Sequence, residues 1–122
     1  MRTAKVYMHN KLAGYLTEVE RNKKYKFAYD DNYKGEPISL TMPVEFKEFN
    51  FNSFPPFFDG LLPEGIQLDG LLRFRKIDKD DYFSQLIAAG ADLVGAASVE
   101  EMPWTNVLLH IKTVKVNTLK TG

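Results

Sequence analysis

The residues that most often carry catalysis or bind metals are few and scattered in this chain. The two histidines, His9 and His110, lie in different segments, and neither has a carboxylate at the spacing of a metal site. The absence of cysteine excludes disulfides, thiolate metal sites and cysteine nucleophiles. Gly60 and Gly65 are not followed by the Lys–Ser/Thr pair of a phosphate-binding loop. The sequence therefore predicts a protein that is not an enzyme and that needs no cofactor or metal.

Charged residues form small groups that the elements of a fold can explain. The acidic pairs 30–31, 80–81 and 100–101 suit a turn, a helix start and a solvated strand edge. A basic group at a predicted helix end contains Arg73, Arg75, Lys76 and Lys79. Cations suit a helix C-terminus, and a patch of this size also suits an acidic partner surface.

Aromatic residues give the strongest signal in the composition. Six of the nine phenylalanines fall within thirteen residues, at Phe46, Phe49, Phe51, Phe54, Phe57 and Phe58. Each ring needs roughly 150–250 Å² of burial, but polar residues separate the rings irregularly. Either all six fill the core, or two or three leave on the order of several hundred Å² of apolar surface for a protein partner.

The length and the composition limit the classes of protein to which this chain can belong. The chain has 122 residues, which predicts one domain, with 44% hydrophobic and 26% charged residues. The formal net charge is zero, which disfavours direct nucleic-acid binding. No apolar run approaches the roughly 20 residues that span a bilayer, and the N-terminus has no signal-peptide pattern. We therefore expect a cytoplasmic protein without membrane contact.

The first half of the chain has the alternation of β-strands. Short strands are predicted at 5–8, 12–16, 25–29 and 37–42. The last of these would place Ile38, Leu40 and Met42 on one apolar face. The stretch from Val44 to Pro56 fits neither a helix nor a strand.

The second half has helical signals. Pro55 and Pro56 suit a helix start, and a further helix is predicted from Pro63–Gly65, with Leu68, Leu71 and Leu72 on one face. Asp78 is the expected N-cap of a helix over 79–89 that ends at Gly90, before a last strand within 93–99.

Strands first and helices after predict an α+β fold, with a small, mostly antiparallel sheet and helices packed on one face. The expected domain spans 1–100. Residues 101–122 form a tail that is either an edge strand or partly disordered.

The run Phe57–Gly65 resembles a motif in the amino-terminal subdomain of HipA-family serine/threonine kinases, the toxins of toxin–antitoxin systems. The opening hairpin, the segment Pro37–Pro43 and the segment 77–96 resemble the same subdomain in the same order. The resemblance covers about residues 4–100 and stops before the kinase body. A small separate chain of this type is similar to the HipS-like antitoxins of tripartite HipBST systems.

That resemblance implies a non-catalytic antitoxin. It would bind a HipT-like serine/threonine kinase and prevent productive binding of ATP or substrate, with a HipB-like helix-turn-helix protein in a ternary complex. The expected contact residues are Phe54, Phe57, Phe58, Asp59, Leu61, Leu62, Glu64 and Ile66. Some relatives carry tryptophan at the position of Ile66. Two mechanisms of inhibition therefore remain open: the motif plugs a pocket of the kinase, or docking shifts the kinase's nucleotide loop. The alternative is a structural subunit that completes the kinase or bridges it to the HipB-like protein without inhibiting it.

Overall fold

The computed structural model describes residues 1–62, 65–90, 93 and 96–102, with only the backbone described for 65–67 and 71. These residues form a five-stranded antiparallel sheet, a few helices and one 3-10 turn. In chain order the elements are β1 (Arg2–Met8), β2 (Lys11–Glu20), β3 (Lys24–Tyr29), the 3-10 turn (Val44–Phe46), β4 (Glu48–Phe51), α1 (Pro56–Asp59), α2 (Gly65–Arg75), α3 (Tyr82–Ala89) and β5 (Ala97–Glu101). The strand order in the sheet is β4-β3-β2-β1-β5. The tail expected at 101–122 lies outside the described residues from 103 onward.

The first three strands form the meander that the alternation predicts. His9 and Asn10 connect β1 to β2 with φ values of 51° and 65°, the left-handed geometry that tight hairpin turns require. Register is set by facing pairs such as Ala4 with Leu16 and Leu16 with Phe27. Because side chains alternate between faces, these residues share one buried side of the sheet.

The strand predicted at Pro37–Met42 was wrong. These residues form turns, in which Ile38 and Met42 are buried while Leu40 is 97% exposed. The Tyr29 hydroxyl fixes the segment, because it accepts from the Ile38 amide at 3.0 Å and donates to the Met42 carbonyl. Prolines at both ends of the segment, Pro37 and Pro43, disfavour a paired strand.

The fourth strand, β4, instead comes from the phenylalanine-rich stretch that fitted no element. It is only four residues long and pairs with β3 at the sheet edge, with Phe49 opposite Phe27 and Phe51 opposite Tyr25. Two alternating phenylalanines are enough for an edge strand, because one neighbour supplies all the pairing.

Helix α1 begins at Pro56, as the double proline predicts, because the missing N–H has no helical partner at that position. The N-cap expected at Asp78 was wrong. Helix α3 begins at Tyr82, and Asp81 caps it by accepting from the Ser84 amide at 3.2 Å. Residues 79 and 80 form a turn before the cap.

Helix α3 ends at Gly90, as predicted, and Gly90 has an ordinary right-handed φ of −37°. Its need for glycine comes from a close approach to β5. A Cβ atom there would lie 2.1 Å from the Val99 carbonyl oxygen. The Val99 amide donates to the Gly90 carbonyl at 2.9 Å, which joins α3 to the last strand.

The core combines the buried face of the sheet with side chains from α1 and α3. Its largest apolar members are Leu16, Tyr25, Phe27, Tyr29, Phe58, Phe83 and Leu86. The packing of all helices on one face of the sheet stays a prediction. No helix within the described ranges is long and apolar enough to cross a bilayer.

Candidate docking surface

The six clustered phenylalanines divide between the core and the surface. Phe58 is fully buried, and Phe46 is 71% exposed. The other four, Phe49, Phe51, Phe54 and Phe57, are partly buried and pack against the core. Since only one ring is sealed from solvent, the cluster leaves aromatic surface at the edge of the domain.

Helix α1 and the turn after it hold the residues expected to contact a partner. Phe57, Leu61 and Leu62 are half-buried, whereas Asp59 is exposed. The Leu61 amide donates to the Phe58 carbonyl at 3.1 Å, and the Leu62 amide to the Asp59 carbonyl at 3.2 Å. These bonds fix the turn, so the two leucines are held in place beside the helix. Glu64 and the side chain of Ile66 lie outside the described residues.

Ring contacts tie this surface to the core. Phe54 packs edge-on against Tyr25, with ring centroids 5.3 Å apart, and lies 5.6 Å from the Tyr82 ring. Phe57 packs edge-on against Phe58 at 5.1 Å, and Phe58 in turn lies 5.9 Å from Phe27. Such aromatic pairs hold a partly exposed ring in one orientation.

We call Phe54, Phe57, Leu61, Leu62 and Tyr82 the docking surface. Tyr82 was not among the residues expected to contact a partner. It is 38% exposed, since it is the first residue of the helix and points toward Phe54 rather than into the core. The sequence signal for this exposure is that Tyr82 directly follows Asp81, the residue that caps α3.

A partly buried ionic group lies behind this surface, and we call it the Arg2 cluster. Arg2 donates to Glu18 through Nε at 2.9 Å and Nη2 at 2.7 Å, and from Nη2 to Asp81 at 3.0 Å. Its Nη1 donates to the Ser84 hydroxyl at 2.6 Å, and its guanidinium lies 4.8 Å from the centre of the Phe83 ring. The cluster therefore joins β1 and β2 to the first turn of α3.

Electrostatics keep the Arg2 cluster charged. Burial alone would raise the pKa of Asp81, but hydrogen bonds from Ser84 and Arg2 outweigh it and hold that pKa below its usual range. Burial, together with the neighbouring Glu18 carboxylate, raises the pKa of Tyr25 to about 12. Tyr25 therefore stays neutral and donates to Glu18 at 3.3 Å while its ring supports Phe54.

The cluster has the features of a structural network. In the part of the chain that the structure describes, no buried side-chain nitrogen or oxygen lacks a hydrogen-bond partner. Nor do the described residues contain a group of three or more His, Asp or Glu side chains able to hold a metal ion.

Similarity to known proteins identifies the family of this chain. A family model described as the HipA N-terminal domain matches residues 4–100. The chain belongs to the HipA N-terminal domain family. A structure described as the N-terminal domain of HipA toxin is similar to it, with a TM-score of 0.67 and 29% identity, covering 85% of this chain and 95% of that one. An uncharacterized protein of Haemophilus influenzae is 32% identical over 101 residues, covering 83% of this chain and 93% of that protein.

The match to the HipA N-terminal domain confirms the resemblance given by the motif at Phe57–Gly65. The matched range runs from β1 into β5 and so includes the whole docking surface. Membership of this family indicates an association with HipA toxins.

Proposed function

We propose that this chain is a non-catalytic antitoxin that binds a HipT-like serine/threonine kinase through the docking surface and inhibits it. The carrying observation is the partly exposed aromatic edge around α1, in a domain of the HipA N-terminal family. Partly exposed rings that are already oriented by core contacts lose little conformational freedom on binding, which favours affinity.

Inhibition would follow from selective binding. Unless it plugs the kinase's site directly, a docked chain lowers kinase activity only if it binds an inactive conformation of the kinase more tightly than an active one. The proposed conformation is one in which the nucleotide loop cannot hold ATP or substrate productively. A HipB-like helix-turn-helix protein is proposed as a third member of the complex.

The test uses the full chain, a purified HipT-like kinase and two matched substitutions. Phe57→Ser lies in the docking surface, and Phe46→Ser removes an exposed phenylalanine outside it. We expect the wild type and Phe46→Ser to bind and suppress phosphorylation, and Phe57→Ser to bind about tenfold or more weakly, as aromatic interface residues do. Thermal unfolding of each variant checks that the fold is intact. Full kinase activity with the wild type bound would refute inhibition.

The alternative is a structural subunit that completes the kinase or bridges it to the HipB-like protein. It is favoured by the same family match, because a HipA N-terminal domain is part of a toxin. A growth assay distinguishes the inhibitory function from the structural one. Co-expression with the kinase should rescue cells if the chain inhibits, and should leave toxicity unchanged if it only completes the complex.

A further inference from the structure

The C-terminal end of α2 carries an exposed aromatic ring among cations, away from the residues of the docking surface in sequence. Phe74 is 84% exposed. Its neighbours Arg73, Arg75 and Lys76 are exposed as well, and the Arg75 guanidinium carbon lies 6.0 Å from the centre of the Phe74 ring. We call these four residues the basic patch. Over the described ranges, none of its three cations forms an ion pair.

Lys76 occupies a position where glycine is usual. Its φ of 55° is left-handed, and the Ile77 amide donates to the Leu72 carbonyl at 3.1 Å, which closes the end of the helix. A lysine pays a steric penalty in this conformation that glycine avoids. Lys47 has a similar φ of 60°, but its ammonium lies 3.7 Å from Asp31. Lys76 has no such partner among the described residues, so its ammonium group is free to pair with an acidic group of a ligand.

A cleft of about 300 Å³ adjoins the patch and extends it. Arg75 belongs to both, and Ile77 and Ile87 supply apolar wall. Arg2 and Ser84 also line it, but their polar atoms bond each other and Asp81, so Arg75 is the cation available there. The acidic residue Glu101 lines the same cleft. The free positive charge therefore lies on the patch, and the cleft adds apolar surface beside it.

We propose that the basic patch binds an acidic segment of the kinase chain, with an apolar side chain of that segment against Phe74. The inference rests on the proposed function, since the kinase is the partner. Arginine and aromatic side chains are the residues that dominate protein interfaces, and unpaired cations select an acidic surface.

Nucleic acid fits the patch less well than protein does. The chain has zero net charge, whereas proteins that bind nucleic acid through phosphate contacts are normally basic. Binding a phosphate backbone tightly uses about six to ten cation contacts, more than this patch offers. An exposed phenylalanine also contributes more against a protein side chain than along a duplex backbone.

The test compares Lys76→Gly with Lys47→Gly in binding to a purified HipT-like kinase, measured by calorimetry at low and high salt. Lys76→Gly relieves the left-handed penalty, so its thermal midpoint should not fall. We expect it to weaken binding about three- to tenfold, and Arg73→Glu with Arg75→Glu to weaken it about 100-fold, with both effects smaller at high salt. Lys47→Gly removes a lysine that also has a positive φ, and this variant should bind as the wild type does.

The outcomes separate this inference from the function on which it rests. If the wild type binds the kinase and the basic-patch variants bind equally well, the basic patch is not an interface, while the proposed function stands. If the wild type does not bind, both are wrong. Retardation of duplex DNA by the wild type, lost in Arg73→Glu with Arg75→Glu, would overturn the protein partner in favour of nucleic acid.

Discussion

Asp81 has two functions in the fold that two substitutions can separate. It caps α3 by accepting from the Ser84 amide at 3.2 Å, and it pairs with Arg2 at 3.0 Å. Asp81→Asn keeps an oxygen for the cap but removes the charge. Asp81→Ala removes both, so the difference between the variants measures the cap.

The structure determines how much each substitution should lower the free energy of unfolding. Loss of an N-cap costs about 1 kcal/mol. Breaking a fully buried ion pair costs about 3–5 kcal/mol, but the Arg2 side chain is 31% exposed and keeps Glu18, so we expect about 1–2 kcal/mol here. Asp81→Asn should therefore lower the free energy of unfolding by about 1–2 kcal/mol and Asp81→Ala by about 2–3 kcal/mol.

Urea unfolding followed by circular dichroism at pH 7 measures both values, and its pH dependence tests the charge. The pKa of Asp81 is held below its ordinary value of about 3.9, so its stabilisation is complete above about pH 4 and is lost as the pH falls through the folded-state pKa. The gap between wild type and Asp81→Asn should narrow over that range. Equal stability of wild type and Asp81→Asn at pH 7 would show that the pair with Arg2 contributes nothing.

Two further comparisons test packing. Gly90→Ala should destabilise the domain by about 2 kcal/mol or more, because its Cβ would meet the Val99 carbonyl oxygen, whereas Gly70→Ala, with no atom within 4 Å, should stabilise α2 by up to about 1 kcal/mol. Urea midpoints that move in the same direction would contradict this reasoning. Phe58→Ala should cost about 3–5 kcal/mol and Leu40→Ser less than about 0.5 kcal/mol, so similar thermal midpoints would contradict the burial pattern.

The meander could be predicted from sequence because local alternation and turn residues agree there. The exchange of Pro37–Met42 for β4 could not, since Pro37–Met42 alternates clearly while the stretch that contains β4 matches no single element. The Tyr29 hydroxyl decides it by holding the backbone at Ile38 and Met42, a contact over nine to thirteen residues that no local pattern contains.

The candidate site was predictable in part. The motif led to Phe57, Leu61 and Leu62, and the structure holds all three half-exposed at one helix and its following turn. It also led to Phe58, whose ring lies in the core and so can act on a partner only through Phe57. Tyr82 was missed because helical spacing does not reveal which end of a stripe meets another element.

The strand order has a consequence for synthesis on the ribosome. β1 lies between β2 and β5, and Ala4 pairs with Glu101, 97 positions later in the chain (101 − 4). A nascent chain therefore carries one open edge on its first strand until nearly all of the domain has emerged. Pairing across so long a separation slows folding, and an open edge invites other strands. During that interval a waiting partner or a chaperone would protect the chain from aggregation.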